Sequence, residues 1–417
     1  MSTSAELLGL LRDAKANPED LTPRLILADW LEEHREPERA ELVRLQCQDT
    51  VDQARVDAIL SAHQVAWFGV LWAKRVQPLV QRGLFRVTGP ASKLLSKRFA
   101  GQKNASELDW VEALSLEEIE DDQVPRLLHA PHAQCLNELR LWTMSRQTNQ
   151  LPQADHDRTI GPWPLLEALP TLESLRTFAL TGLPLGADGL RALLAGSPRN
   201  LRTLELDAAN LGDGAMHHLA ASPPLPHLER LDLSYNRIGD AGVAALASWP
   251  GLASVRQLDL GENQCGDEGF RALARSPHRA ALRTLHLSTN VRADLSLLAS
   301  GPPFPALEKL ELRSIVGSRA MEALAATSLF PALRYLRIFM GQLGDEGVRH
   351  LLAAPWVASL NDLRLEYDRI TDIGARLILE SPRLGNLQLL DLNHNNDAIT
   401  QPMMDALRDR FPTVWFF

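Results

Sequence analysis

The sequence predicts an α/β solenoid, a curved parallel sheet with helices outside it, preceded by a small all-α N-terminal domain. Three observations predict this. A unit of about 27 residues recurs through most of the chain, each copy opens on an alternating leucine pattern, and a helix-start signal follows. The first 82 residues carry apolar side chains at helical spacing and lack the repeat.

Self-comparison displays the unit. LRTLELDAANLGDGAMHHLA from Leu201, LERLDLSYNRIGDAGVAALA from Leu228 and VRQLDLGENQCGDEGFRALA from Val255 align without gaps. Further copies start at Leu282, Leu307, Leu333, Leu360 and Leu387, so that successive anchors stand 27, 27, 27, 25, 26, 27 and 27 residues apart. Upstream, LRTFALTGLPLGADGLRALLA keeps the register from Leu175, with weaker copies from Leu136, Val111 and Leu84. Downstream, Val414 stands 27 residues after Leu387 and points to a closing strand.

Side chains of a strand alternate between its faces. The fourth and sixth repeat positions, such as Leu204/Leu206 and Leu231/Leu233, therefore face the core. The third, fifth and seventh face away. Gly-Asp or Thr-Asp comes next (Gly239-Asp240, Gly266-Asp267, Gly344-Asp345, Thr371-Asp372), a helix cap followed by an acid suited to the positive helix end. Val243, Leu246 and Ala247 then recur at helical spacing. Asn236, Asn263, Asn290 and Asn395 occupy the ninth position, where an amide can donate to and accept from backbone leaving the strand. Ala209, Ile315, Gly341 and Asp368 interrupt that series. One repeat buries too little apolar surface to offset the ordering of its backbone, so stability has to come from stacking.

LxxLxLxxN at this period resembles the leucine-rich-repeat family over about three quarters of the chain. The G-D-x-G element resembles ribonuclease-inhibitor-like repeats, which implies a helix after every strand. The resemblance assigns residues 83–417 to the repeats, with a polar insertion near 143–165 and a C-terminal cap near 397–417.

Residues 1–82 divide into amphipathic segments: LLGLLRDAKANP, PRLILADWLEEH, ERAELVRLQCQD and ARVDAILSAHQVAWFGVLWAKRV. Pro23 suits a first helical turn. The runs Pro23–Glu33 and Arg39–Gln46 resemble the bacterial repeat-companion domain, found N-terminal to repeat arrays. Arg35 and Glu36 depart from that family's usual Gly and Asp. The family brings no activity with it; it implies an accessory domain. Leu27, Trp30 and Leu31 share a helical face and read as core, leaving Asp29, Glu32 and Glu33 solvated.

Composition narrows the function. The formal net charge is −9, which argues against nucleic acid as main partner. Three scattered cysteines, Cys47, Cys135 and Cys265, offer neither a disulfide framework nor a zinc motif and suit a reducing cytoplasm. The most apolar stretch, Val65 to Ala73, is too short to span a membrane. No phosphate-loop, dinucleotide or protease motif stands in its required context. Asp155-His156-Asp157 in the insertion is weak support for a metal. We expect no catalytic residue, no metal and no cofactor.

The expected function is protein–protein interaction on the concave strand face, as a sensor, adaptor or scaffold that is monomeric by itself. An enzyme or effector whose repeats dock a substrate is the alternative, as is a structural assembly subunit. Glu205, Asp207, Asp232 and Asp259 form an acidic stretch, and Arg337 and Arg364 a basic one beside Tyr335 and Phe339. Trp142 flanks the insertion. At about 4.8 Å per strand, Asp232 and Arg337 are roughly 20 Å apart. That exceeds the ~8 Å screening length, so the stretches should act as separate poles.

Overall fold

The computed structural model describes residues 5–73, 76, 78–94, 106–119, 136–143, 174–196, 198–288, 294–313, 317–395 and 398–416. The bulk of the 143–165 insertion, with Asp155, His156 and Asp157, lies outside them, as do Cys135, Asn290 and Ile315. The chain forms two compact units, one of residues 1–183 and 192–204, the other of 184–191 and 205–417.

The first unit starts with four helices: α1 (Ala5–Ala16), α2 (Thr22–Glu33), α3 (Pro37–Gln46) and α4 (Gln53–Ala73). Pro23 and Pro37 sit in first turns, where no amide partner is lost. The left-handed turn between α2 and α3 is held by Arg35 at φ 67°. Leu27 and Leu31 are fully buried, as periodicity expects, and Ala28 is buried beside them. Trp30 is only half-buried; its indole stacks on His34 at 3.8 Å instead of filling the core. Asp29 and Glu32 both bind Arg44, at 2.7 and 2.6 Å, and so tie α2 to α3.

Leu79–Gln81, part of the stretch read above as helical, is a strand. This β1 pairs antiparallel with β2 (Leu84–Pro90) across Arg82 and Gly83, both at positive φ (49° and 81°). Two such residues make the tight turn whose twist matches a hairpin. A Cβ on Gly83 would run into Val43 of α3, so the turn seats directly on the helices. From β2 the pairing becomes parallel: β2 to β3 (Val111–Glu117), β3 to β4 (Glu138–Trp142) and β4 to β5 (Thr177–Thr181). Val87, Leu114, Leu139 and Phe178 are in register, which places the weak copies from Leu84, Val111 and Leu136 in the repeat series.

The second unit continues the pattern. After β6 (Thr203–Glu205) come β7 (Arg230–Asp232), β8 (Gln257–Asp259), β9 (Thr284–Ser288), β10 (Lys309–Arg313), β11 (Tyr335–Phe339), β12 (Asp362–Glu366), β13 (Leu389–Asp391) and β14 (Thr413–Trp415). From β7 to β14 each pairs parallel with the next, in chain order. Helices Gly212–Ala221, Asp240–Ser248, Asp267–Arg275, Gly317–Ala325, Gly344–Ala353 and Asp372–Glu380 follow their strands. In the 25-residue repeat from Leu282 a 3-10 helix, Leu295–Ser300, stands in place of the α-helix. The architecture is that of a leucine-rich-repeat solenoid.

Inward positions are buried throughout: Leu231, Leu233, Leu258, Leu260, Leu363 and Leu365 are at most 1% exposed. Two polar ladders stitch the repeats. Asn263 accepts from the amides of Asn236 and Ile238, both at 3.0 Å, and donates to the carbonyls of Leu233, Leu260 and Gly261. Asn236 and Asn395 do the same one and several repeats away. The second ladder is acidic, and its direction differs from the expectation. Asp240 and Asp345 reach forward to the next repeat's helix start, where Asp240 accepts from Gly266 and Gly269 and Asp345 from Thr371 and Gly374, at 2.7–2.9 Å. The helices Asp267–Arg275 and Asp372–Glu380 therefore receive a compensating anion from the preceding repeat.

The closing strand exists, but its register differs from the 27-residue expectation. Val414 lies opposite Leu390, not Leu387. The helix Gln401–Arg410 runs almost directly into β14, through Phe411 and Pro412, and so shortens the connection by three residues.

Candidate functional site

The site expected from sequence is the strand face turned away from the leucine core. Third, fifth and seventh positions stay wholly or partly accessible on most strands, in patterns such as those of Lys309–Arg313 and Tyr335–Phe339. Parallel register stacks the fifth positions of the second unit into one row: Asp232, Asp259, His286, Glu311, Arg337, Arg364, Asp391 and Trp415.

The acidic end of this row is crowded. Ser234 donates to Asp232 through its hydroxyl (2.6 Å) and its amide (3.0 Å), and the hydroxyl also reaches Asp207 at 3.2 Å. Glu205 pairs with Arg230 at 3.0 Å. Burial, followed by the charges of Asp259 and Glu205, holds the Asp232 carboxyl above its usual range, against the two Ser234 bonds. Asp259 bonds His286 Nδ1 at 2.8 Å, and Glu311 Oε1 lies 3.7 Å from Nε2. Burial alone would lower the His286 pKa; the two carboxylates outweigh it and raise the value.

The basic stretch differs from a free pole. Arg337 makes a bidentate pair with Glu366 (2.6 and 3.0 Å), and Arg364 does so with Asp362 (2.9 Å twice). Glu366 and Asp362 come from β12 itself, so the carboxylates that quench the arginines are interleaved with them. The geometry leaves rigid, pre-organised guanidinium forks. Arg364 also lies 5.2 Å from the Tyr335 ring and 5.1 Å from that of Trp415, while Arg313 and Arg337 flank Phe339 at 4.9 and 5.4 Å. Phe339 contacts Tyr367 edge-on at 5.4 Å, and Tyr367 stacks on His394 at 3.9 Å. Burial pushes the Tyr335 hydroxyl up to about 12, with Glu311 adding to it, so the phenol stays protonated.

All the expected contact residues of the second unit thus lie on this one face. Trp142 sits at the seventh position of β4, half-buried, in the other unit. Sequence reasoning overlooked the partners Asp362 and Glu366, which register counting could have found. It also overlooked Trp415, which the shortened connection hides. Elsewhere, Cys265 is fully buried and its thiol pKa is raised by burial, so it acts as a core group. His217 is exposed on its helix and bonds the carbonyl of Asp213. Among the described residues no cluster of His, Cys, Asp and Glu could hold a metal ion, and no helix is long and apolar enough to cross a membrane.

A leucine-rich-repeat family model matches residues 225–247 and 251–274. No curated protein matches the chain. Among solved structures the chain is similar to the TLR13–ssRNA13 complex, at 17% identity and TM-score 0.39, covering 69% of this chain and 40% of that one. It is also similar to an internalin from Listeria monocytogenes (18% identity, TM-score 0.38, 85% and 97% covered) and to a Bacteroides fragilis protein (14% identity, TM-score 0.36, 81% and 87% covered). The present chain spans less than half the length of the TLR13 chain. The fold assignment rests on this chain's own strands and registers, and these likenesses add no functional argument.

Proposed function

We propose that the chain is a non-catalytic interaction module, a sensor, adaptor or scaffold of the bacterial cytoplasm, which binds a protein partner on its open strand face. In this reading its repeats are of the ribonuclease-inhibitor-like kind. Residues 1–82 form a repeat-companion domain, residues 83–417 the repeats, and the chain is monomeric by itself.

The carrying observation is the fifth-position row. Eight adjacent strands align charged or aromatic side chains in register, all but Asp391 partly exposed. Beside the row, Tyr235 and Tyr367 are 47% and 39% exposed. Aromatic anchors next to pre-organised arginines are the residue types that dominate protein–protein binding energy. Carboxylates at one end and paired guanidinium groups at the other supply orientation more than affinity.

The test uses the full chain. Truncation of an anchor such as Tyr367→Ala should cost about 2 kcal/mol of binding, roughly a 30-fold loss of affinity for a captured partner. The double substitution Asp232→Asn, Asp259→Asn should weaken capture as well. Unchanged far-ultraviolet circular dichroism in both, together with undiminished capture, would remove this face from the proposal.

A further inference from the structure

The asparagine ladder has one acidic member. Asp368 occupies the ninth position of the repeat from Leu360 and is fully buried. Its Oδ1 faces the amide of Leu343 at 3.4 Å, 25 residues back. The asparagine Oδ1 atoms serve the same offset, from Asn236 to Leu211, Asn263 to Ile238 and Asn395 to Ile370. One half of the asparagine role is therefore filled by a carboxyl oxygen.

The other half cannot be filled by a carboxylate. In the three asparagines Nδ2 donates to the sixth-position carbonyl of the preceding repeat: Leu206, Leu233 and Leu365. Asn263 and Asn395 also donate to a carbonyl three residues back. Repeat register gives Asp368 the counterparts Ile338 and Leu365, which pair across β11 and β12. Asp368 Oδ2 is buried with no donor to it. An ionised oxygen against carbonyls is repelled; a protonated one donates to them.

We propose that Asp368 carries a proton in the folded protein, its Oδ2–H donating in place of an asparagine amide, and that losing this proton loosens the ladder beneath the open face. Burial first, with the Glu366 charge adding to it and backbone amides opposing, raises the carboxyl to about 7. Of the charged side chains at this level, Arg369 is exposed and the others are engaged. Glu366 is bound to Arg337, Arg364 to Asp362, Asp345 to Thr371 and Gly374, and Asp372 to the amide of Thr400. Asp391 accepts from Asn393, and His394 stacks on Tyr367. Among the described residues no cation pairs with Asp368. The residue directly follows Tyr367, so its protonation state bears on the turn that carries this exposed ring.

The sign follows from linkage. A carboxyl raised in the folded state stabilises the fold fully below the unfolded value, near 3.8, and the contribution is lost as pH rises through about 7. Asp368→Asn supplies a permanent donor and retains the fold. In protein labelled with 13C at aspartate carboxyls, one resonance should titrate with a midpoint near 7 and vanish in the variant. The Tm advantage of Asp368→Asn over the parent should grow between pH 4 and 7 and then level off. A carboxyl ionised at pH 5, or parallel Tm curves for the two proteins across this range, would overturn the proposal.

Discussion

At the residue scale, one buried amide ties adjacent repeats together. Asn263 satisfies two amides and three carbonyls that no water reaches. Asn263→Ala should leave several of these unpaired and cost about 3 kcal/mol, read as a lower urea midpoint at unchanged slope. A loss within experimental error would mean that neighbouring backbone closes over the gap. The periodicity of asparagine made this role legible. The forward reach of Asp240 and Asp345 was not legible, because sequence places them in their own helix's first turn and is silent on which side of that turn the next repeat lies.

At the element scale, α1–α4 and the first strands share charged groups that neither could bury alone. Lys15 donates to the Asp109 carbonyl at 2.5 Å, and Arg24 pairs with Glu112 at 3.3 Å. The Arg39 guanidinium lies 3.6 Å from the centre of the Trp110 ring, with Trp67 and Phe85 near it. Burial lowers the Arg39 pKa to about 10, against the pull of Glu36. Burial likewise raises the pKa of Glu112, with Arg24, Arg86 and Lys15 opposing. Removing one partner of a buried pair is costly. Deletion of residues 1–82 should therefore expose Trp110 and strand Glu112, giving a chain that aggregates and binds hydrophobic dye. A soluble, cooperatively melting 83–417 fragment would contradict this. The helices were visible in periodicity. Their ties to β3 were not, since Arg24 and Glu112 are 88 residues apart.

At the scale of the whole molecule, stability in a repeat fold is a sum of neighbour terms, so a titrating contact in the second unit should be felt in global unfolding. The Asp259–His286–Glu311 cluster is such a contact. The His286 pKa is raised on folding, so its contribution is complete below the unfolded value, about 6.5, and is lost as pH rises through the folded one. The urea midpoint of the parent, relative to His286→Gln, should fall over that window; a constant offset between the two would show that the pair contributes nothing. The Asp368 titration works in the same direction, so the comparison is best made in the Asp368→Asn background.

The repeat period, the inward leucines, the helix starts and the four N-terminal helices followed from the sequence by itself, because each depends on residues within one turn or one strand. Tertiary structure decided which charges are free. Arg337 and Arg364 read as a basic pole in one dimension, yet stacking sets Glu366 of the next strand against Arg337, while Asp362 of the same strand pairs with Arg364. It likewise set the register of β14 and put an acid in an amide's place at Asp368. Such outcomes depend on which atoms of the next repeat arrive opposite, and on how little water remains between them.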